Sequence, residues 1–155
     1  MNVYVLTPVQ LKRLRPSILQ FAKKYGDQRI THRALRWLKT LKSGPFPEGT
    51  WMATAVDGRR LIGFILFGRY GLEESFIVVH PSYRKKGVAE TLLQAALDEM
   101  DKIYTRVACD NLPSLKLCFS AGLVAFHLIK GPTGKPTLCF GGGEWNPAEF
   151  KEKAV

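Results

Sequence analysis

Cysteine is scarce in this chain of 155 residues, and its three copies, Cys109, Cys118 and Cys139, show no C-x-x-C spacing. An odd set without that spacing argues against a disulfide framework and against a zinc site. Long apolar runs are missing too. The longest covers residues 61–67, whereas a membrane-spanning helix needs about 20 residues, so no membrane role is expected. The first ten residues hold no basic stretch leading into an apolar core and no small-residue cleavage site, so no secretory signal is read there and the expected location is the cytoplasm. Acidic residues are nearly absent from residues 1–45, where ten Lys or Arg face the single Asp27, a formal +9. The rest of the chain carries 13 basic against 12 acidic residues, so nearly all of the net +10 lies in the N-terminal segment. Such a segment concentrates anionic partners, whether a phosphorylated cofactor, nucleic acid or an acidic protein. A solvated basic helix face has the same composition.

What is present suits one globular domain. The mass is 17.4 kDa and 46% of residues are hydrophobic, and a chain this long buries roughly 68–70% of its unfolded surface on folding. One domain is expected over residues 1–143, with a polar tail over 144–155 that frays. Residues 3–6 read as a strand, and Thr7-Pro-Val-Gln10 as a helix start with a capping box and proline at the first helical position. Pro16 is expected to interrupt that helix, leaving a second piece over 17–25 that ends at Gly26. Residues 31–41 form a basic amphipathic helix, with Ala34, Leu35, Leu38 and Leu41 at helical spacing and Arg33, Arg36 and Lys39 between them. Strands are expected over 51–56 and 61–67, joined by Asp57-Gly58, whose tolerance of positive φ suits a tight hairpin. A third strand covers 73–79. Helical period returns over 87–103, followed by a strand at 105–109, a short helix at 113–121 and a closing strand pair at 123–129 and 137–140.

The join between the third strand and the long helix carries the chemistry. A helix begun there leaves its first amides unpaired and presents the positive end of its dipole, a ready site for phosphate. Gly87 and Ala89 let a diphosphate approach the backbone, and Arg84, Lys85 and Lys86 surround it with charge. Two rival phosphate motifs fail. Gly131-Pro-Thr-Gly134-Lys135-Pro136 lacks the four-residue gap of a P-loop and has proline where Ser or Thr should bind Mg²⁺, and the chain holds no G-x-G-x-x-G.

Val79-His-Pro-Ser-Tyr-Arg84-Lys-Lys-Gly87-Val-Ala89 resembles the acyl-CoA pyrophosphate loop of the GNAT superfamily of N-acetyltransferases. Downstream, Asn111-Leu-Pro-Ser114-Leu-Lys-Leu117-Cys118-Phe119-Ser-Ala-Gly122-Leu123 is similar to the family's second signature. The resemblance covers about residues 50–141. It implies an α/β (α+β) fold, with a mixed, mostly antiparallel central sheet flanked by helices and a splayed strand pair that binds acyl-CoA. It implies acetyl-CoA as co-substrate with no metal, the backbone of Ile77, Val78 and Val79 on pantetheine and thioester, and the amides of Arg84, Lys85, Lys86, Gly87, Val88 and Ala89 on the pyrophosphate. Asn111, with Ser114 in the same motif, is implied on the pantetheine arm. Without the family, Asn111-Leu-Pro reads as an ordinary turn opening a helix.

The implied reaction is direct attack of a neutral primary amine on the thioester, which needs a proton acceptor, an oxyanion donor and an exit for the thiolate. The resemblance puts the base at Glu73 and the oxyanion donor at the Val79 N–H. Glu74 falls on the other face of the strand, so alternation lets only one of the two reach the cleft. Both read equally well as exposed carboxylates. Cys118 stands where the family commonly has a tyrosine that protonates the thiolate. A thiol could supply that proton, with inert packing as the alternative and Tyr83 or water as substitutes. His80 and His127 read as structural or surface groups. The acceptor is not legible. Nucleic acid is a candidate partner through residues 1–45, which gives a second reading as a nucleic-acid-associated modifying enzyme. A non-catalytic CoA-binding module is a third, and the oligomeric state, homodimer included, stays open.

Overall fold

The computed structural model describes residues 1–151. Its elements are β1 (Asn2–Val5), α1 (Pro8–Tyr25), α2 (His32–Thr40), β2 (Trp51–Asp57), β3 (Arg60–Gly68), β4 (Glu74–Val79), α3 (Val88–Glu99), β5 (Lys102–Ala108), α4 (Leu112–Ser120), β6 (Val124–Lys130) and β7 (Pro136–Gly143). The strands form two antiparallel sheets, ordered β1-β2-β3-β4 and β5-β7-β6. Among the described residues no ladder joins β4 to β5. A hydrogen bond of 3.0 Å between the Ser75 and Thr105 hydroxyls ties the two strands near the start of β4.

Helices cover both faces of the first sheet. Ile18, Phe21 and Leu38 of α1 and α2 pack with Met52, Phe64, Leu66 and Val78 on one side. Val88, Leu92, Leu93 and Ala96 of α3 pack with Ala53, Ala55, Ile65 and Phe67 on the other. A strand buried on both faces reads as a continuous apolar run rather than an alternating one, which is why residues 61–67 lack polar interruption.

Four expectations are corrected. Pro16 does not break α1, which runs from Pro8 to Tyr25. Its missing amide costs roughly 3 kcal/mol in a helix interior. However, Pro16 and Lys12, whose carbonyl loses its partner, are both exposed to water. Burial of Leu11, Ile18 and Phe21 along the same helix, at about 1.5–3 kcal/mol each, outweighs that loss. Next, α3 stops at Glu99, because Met100 turns to extended backbone (φ −96°, ψ 135°), and Ile103 is buried in β5 rather than in the helix. The β2–β3 register pairs Asp57 with Arg60, so the turn is Gly58-Arg59, with Gly58 at φ 61° in the first central position that hairpin turns favour for glycine. Finally, residues 144–150 do not fray. Trp145 stacks on Phe126 at 4.9 Å, and Glu149 accepts hydrogen bonds from Lys102 Nζ (2.7 Å) and Tyr104 Oη (2.9 Å). The remaining tail residues, 152–155, lie outside the described residues.

Candidate active site

The phosphate-type loop forms as a concave nest of amides. Lys85 and Gly87 take positive φ of 61° and 83°, and alternation of left- and right-handed residues turns successive N–H groups toward a common point. Gly87 is the N-cap of α3 and no side chain caps the helix there. Helix geometry leaves the amides of Val88, Ala89 and Glu90 without partners inside the helix. A Cβ built on Gly87 meets nothing within 4 Å, so the space in front of these amides is open.

Arg84 does a different job from the one expected. Its amide is taken by the Pro81 carbonyl (3.4 Å). Its Nε donates to the Val79 carbonyl (3.1 Å), its Nη2 to the Tyr25 carbonyl (2.9 Å), and its Nη1 pairs with Asp27 Oδ2 (2.6 Å). The side chain is thus a clamp that fixes the loop to the end of β4 and to the α1–α2 connection. That connection is tied at a second point by Arg29, which pairs with Asp110 Oδ1 (2.7 Å) just after β5. Lys135 meets the same carboxylate at 2.9 Å, and these two partners hold the Asp110 carboxyl down at about 2. Replacing Arg84 by Ala is expected to cost about 1–2 kcal/mol in urea unfolding, since two carbonyl bonds are lost and the ion pair is half exposed. An unchanged midpoint would show that the clamp is ornamental.

The edge of β4 that faces β5 offers free amides. His80 N–H donates to the Ile62 carbonyl (2.8 Å), and Val79 stands opposite Gly63. Bonded and non-bonded pairs alternate in an antiparallel ladder, so Phe76 and Val78 bond to β3 while the amides of Ser75, Ile77 and Val79 point to the open edge. This edge begins at the amide nest and runs back toward Glu74.

A cavity of about 740 Å³ lies at that far end, lined by Arg33, Arg36, Trp37, Thr40, Arg69, Leu72, Glu73, Glu74, Arg106, Glu149 and Lys151. Both glutamates line it, contrary to the expectation that strand alternation admits one. The reason is that Glu73 precedes β4 and so is not bound by the strand's alternation. Trp37 Nε1–H donates to Glu73 Oε2 at 3.2 Å, and the indole lies against Gly68, where a Cβ would come within 2.5 Å of Cζ2. Glycine at 68 therefore admits the ring that orients the carboxylate. At 3.3 Å per residue Val79 lies about 20 Å along the chain from Glu73 and Ile77 about 13 Å, so the Ile77 N–H is the nearer of the two to a base at Glu73. Ile77 N–H is the edge-facing amide next nearer to the cavity.

The remaining candidates fall into packing positions. Cys118 is buried in the core with Leu93, Leu123 and Phe140, and burial pushes its thiol up to about 12. Proton transfer from such a thiol to a CoA thiolate of reference pKa about 8.5 is uphill. Cys118→Ala is therefore expected to retain turnover within about threefold and to lose about 1 kcal/mol of stability through the small cavity; a tenfold loss of turnover in a folded variant would restore the acid role. Tyr83 Oη donates to Asp57 Oδ2 at 2.7 Å, and this bond holds its phenol above the usual range, so it is not aimed into the cleft. His80 is buried, and both of its ring nitrogens face donors, Ser82 N–H at 3.1 Å and Arg60 Nη2 at 2.9 Å. Burial, then Arg60, Lys24 and Arg84, push its pKa down, so it stays neutral and structural. Asn111 caps α4, with Oδ1 3.5 Å from Ser114 N, as the plain reading of its sequence required.

The basic residues of 1–45 are divided. Arg15 donates to the Lys39 and Leu41 carbonyls, Arg29 holds Asp110, and Arg33 and Arg36 line the cavity. Sequence reasoning missed Trp37, Arg69 and Arg106 as cavity residues. Of these only Trp37 left a signal, as an aromatic bordering the polar face that carries Arg33 and Arg36.

The Acetyltransferase (GNAT) family model matches residues 16–122. No curated protein matches the sequence. Among solved structures, the chain is similar to Arabidopsis thaliana NAA60 in complex with acetyl-CoA (TM-score 0.67, 16% identity, covering 91% of this chain and 97% of that one). It is also similar to the ribosomal-protein-S18-alanine N-acetyltransferase from Escherichia coli (TM-score 0.66, 14% identity, 92% and 96% covered). A third is a point mutant of spermidine N-acetyltransferase SpeG from Vibrio cholerae (TM-score 0.64, 17% identity, 91% and 94% covered). At such identities the likeness is one of fold.

Proposed function

The chain belongs to the GNAT acetyltransferase family, and from that premise we propose that it moves an acetyl group from acetyl-CoA to a primary amine by direct attack. The observation that carries this is the single open edge of β4, with the amide nest of residues 85–90 at one end and a carboxylate-bearing cavity at the other. Pyrophosphate at the nest and pantetheine along the edge direct the thioester toward Glu73. The amine nitrogen bonds to the thioester carbon, Glu73 takes the amine proton through a water, and the carbon–sulfur bond breaks to release CoA thiolate, which solvent protonates. Ile77 N–H is the oxyanion donor in this reading, in place of Val79, because it is the nearer edge-facing amide to a base at Glu73. The non-catalytic alternative rested on Cys118 as a missing acid, and a thiolate of reference pKa about 8.5 leaves without one.

The test incubates the protein with acetyl-CoA and a panel of amines and follows release of free CoA thiol. Amine-dependent release, with acetylated product by mass, is expected. Tight acetyl-CoA binding with no turnover on any amine, peptide N-terminus, tRNA or DNA would sink the enzymatic reading.

A further inference from the structure

The cavity beside Glu73 has a composition that a plain amine site does not need. Four of the chain's ten arginines line it, against one of its thirteen lysines, and they share it with Glu73, Glu74 and Glu149, the last already paired with Lys102. Arginine is the side chain whose planar fork matches carboxylate and phosphate oxygens in pairs, whereas lysine offers a point charge. From these arginines we infer that the acceptor is a small amine that also carries an anionic group, a carboxylate or a phosphate, held by Arg33, Arg36, Arg69 and Arg106. This deepens the acetyltransferase reading above and rests on it.

Three observations support the assignment. Arg33 and Arg36 are three positions apart on α2, hence neighbours on one face, where like charges repel. No ion pair neutralises either of them among the described residues. Both guanidinium groups therefore face the cavity with their charge uncompensated by a carboxylate. Second, Arg106 Nε is shut off from solvent with no hydrogen-bond partner. A buried donor left unpaired is costly, and an anion in the adjoining cavity would lower that cost. Third, Arg69, which lines the cavity, and its neighbour Tyr70 hold positive φ of 48° and 61°. Non-glycine residues in that region are strained, and such strain collects at ligand sites.

The charge arrangement also serves the chemistry. Attack needs the neutral amine, and cations around an amine disfavour its protonated form. Arginines that hold the acceptor's acid group therefore raise the fraction of its nitrogen ready to react. They also oppose a polycation, since like-charge juxtaposition excludes wrong partners.

The test uses the full chain saturated with CoA, so that the amide nest is filled and added anions report on the cavity. Binding of two matched pairs is measured by titration calorimetry: O-phosphoethanolamine against ethanolamine, and 4-aminobutyrate against butylamine. Spermidine and a short single-stranded oligonucleotide complete the set. At least one acidic member is expected to bind tenfold or more tightly than its partner and than spermidine. Preference in the first pair alone identifies phosphate, and preference in the second alone identifies carboxylate. The Arg33→Gln/Arg36→Gln double variant, shown to be folded by circular dichroism, is expected to bring the preference within about threefold. Equal affinity within both pairs, or tighter binding of spermidine, overturns the inference, and the unmodified protein alone decides this if the variant does not fold. Tight oligonucleotide binding with no preference within the pairs overturns it in favour of a nucleic-acid surface. Acetylation assays on the same compounds separate this from the parent reading. Turnover of butylamine equal to that of 4-aminobutyrate, with no gain for the phosphate pair, removes the inference and leaves the acetyltransferase standing. Acid-dependent binding without turnover of any amine does the reverse.

Discussion

Gly87→Glu is expected to weaken acetyl-CoA binding by 100-fold or more while the protein stays folded. The side chain would project into the open space before the amides at the start of α3, where a Cβ meets no protein atom, and would bring a carboxylate to the site a diphosphate needs. Loss of two charge-assisted hydrogen bonds at about 1.5–3 kcal/mol each corresponds to roughly 10²–10⁴ in affinity. The folding cost is separate and smaller. Gly87 sits at φ 83°, where a side chain costs roughly 1–2 kcal/mol, a drop of about 2–8 °C in Tm for a chain of this size. Gly87→Asn provides the control, because asparagine tolerates left-handed backbone and adds no charge. Calorimetric titration with acetyl-CoA, alongside a melting curve, reads both quantities. Parental affinity in a folded Glu variant would place the cofactor somewhere other than this loop.

That loop was legible because its features are adjacent in the chain. A strand, a turn, three cations, a glycine and a helix start follow one another between residues 75 and 90, so local rules suffice to read an anion site. Even there, sequence could not separate the cations. Arg84 is spent on the carbonyls of Val79 and Tyr25 and on Asp27, partners 5 to 59 residues away. The acceptor cavity was opaque for the same reason on a larger scale. Trp37 comes from α2, Arg69 from the turn after β3, Glu73 from the approach to β4, and Arg106 from β5. No spacing rule brings those four together; only the order of strands does.

Local rules also failed where burial overruled them. Pro16 carries a strong helix-stop signal, yet the apolar stripe on both sides of it is continuous through Leu11, Ile18 and Phe21. The proline lies on the wet face of the helix, where the orphaned carbonyl of Lys12 can turn to water. The tail was read by its polar residues, when the informative ones were Trp145 and Phe150, which flank Phe126 at 4.9 and 5.4 Å. Ile103 fits the helical spacing of α3 and the core of β5 equally. Only the conformation of Met100 decides between them.

Glu73→Gln is expected to lower kcat by about 10²–10⁴, the range for removal of a general base, with acetyl-CoA affinity unchanged. Glu74→Gln is expected to fall by less. The two carboxylates share the cavity, but the Trp37 indole donates to Glu73 at 3.2 Å, and an oriented group is the better proton acceptor because its geometry is set before the amine arrives. Trp37→Phe keeps the ring packed on Gly68 and removes only the N–H. If Trp37 acts by positioning Glu73, this change lowers kcat several-fold in the presence of Glu73. In the Glu73→Gln background it should have little further effect, because residues that act as a unit are not additive. A merely structural role would instead lower Tm in both backgrounds and leave the kinetic losses additive. Measurement of kcat and KM for the two single variants and the double variant, on whichever amine shows turnover, closes the cycle. Full activity in Glu73→Gln would transfer the proton to Glu74 or to water, and additive losses would remove Trp37 from the reaction.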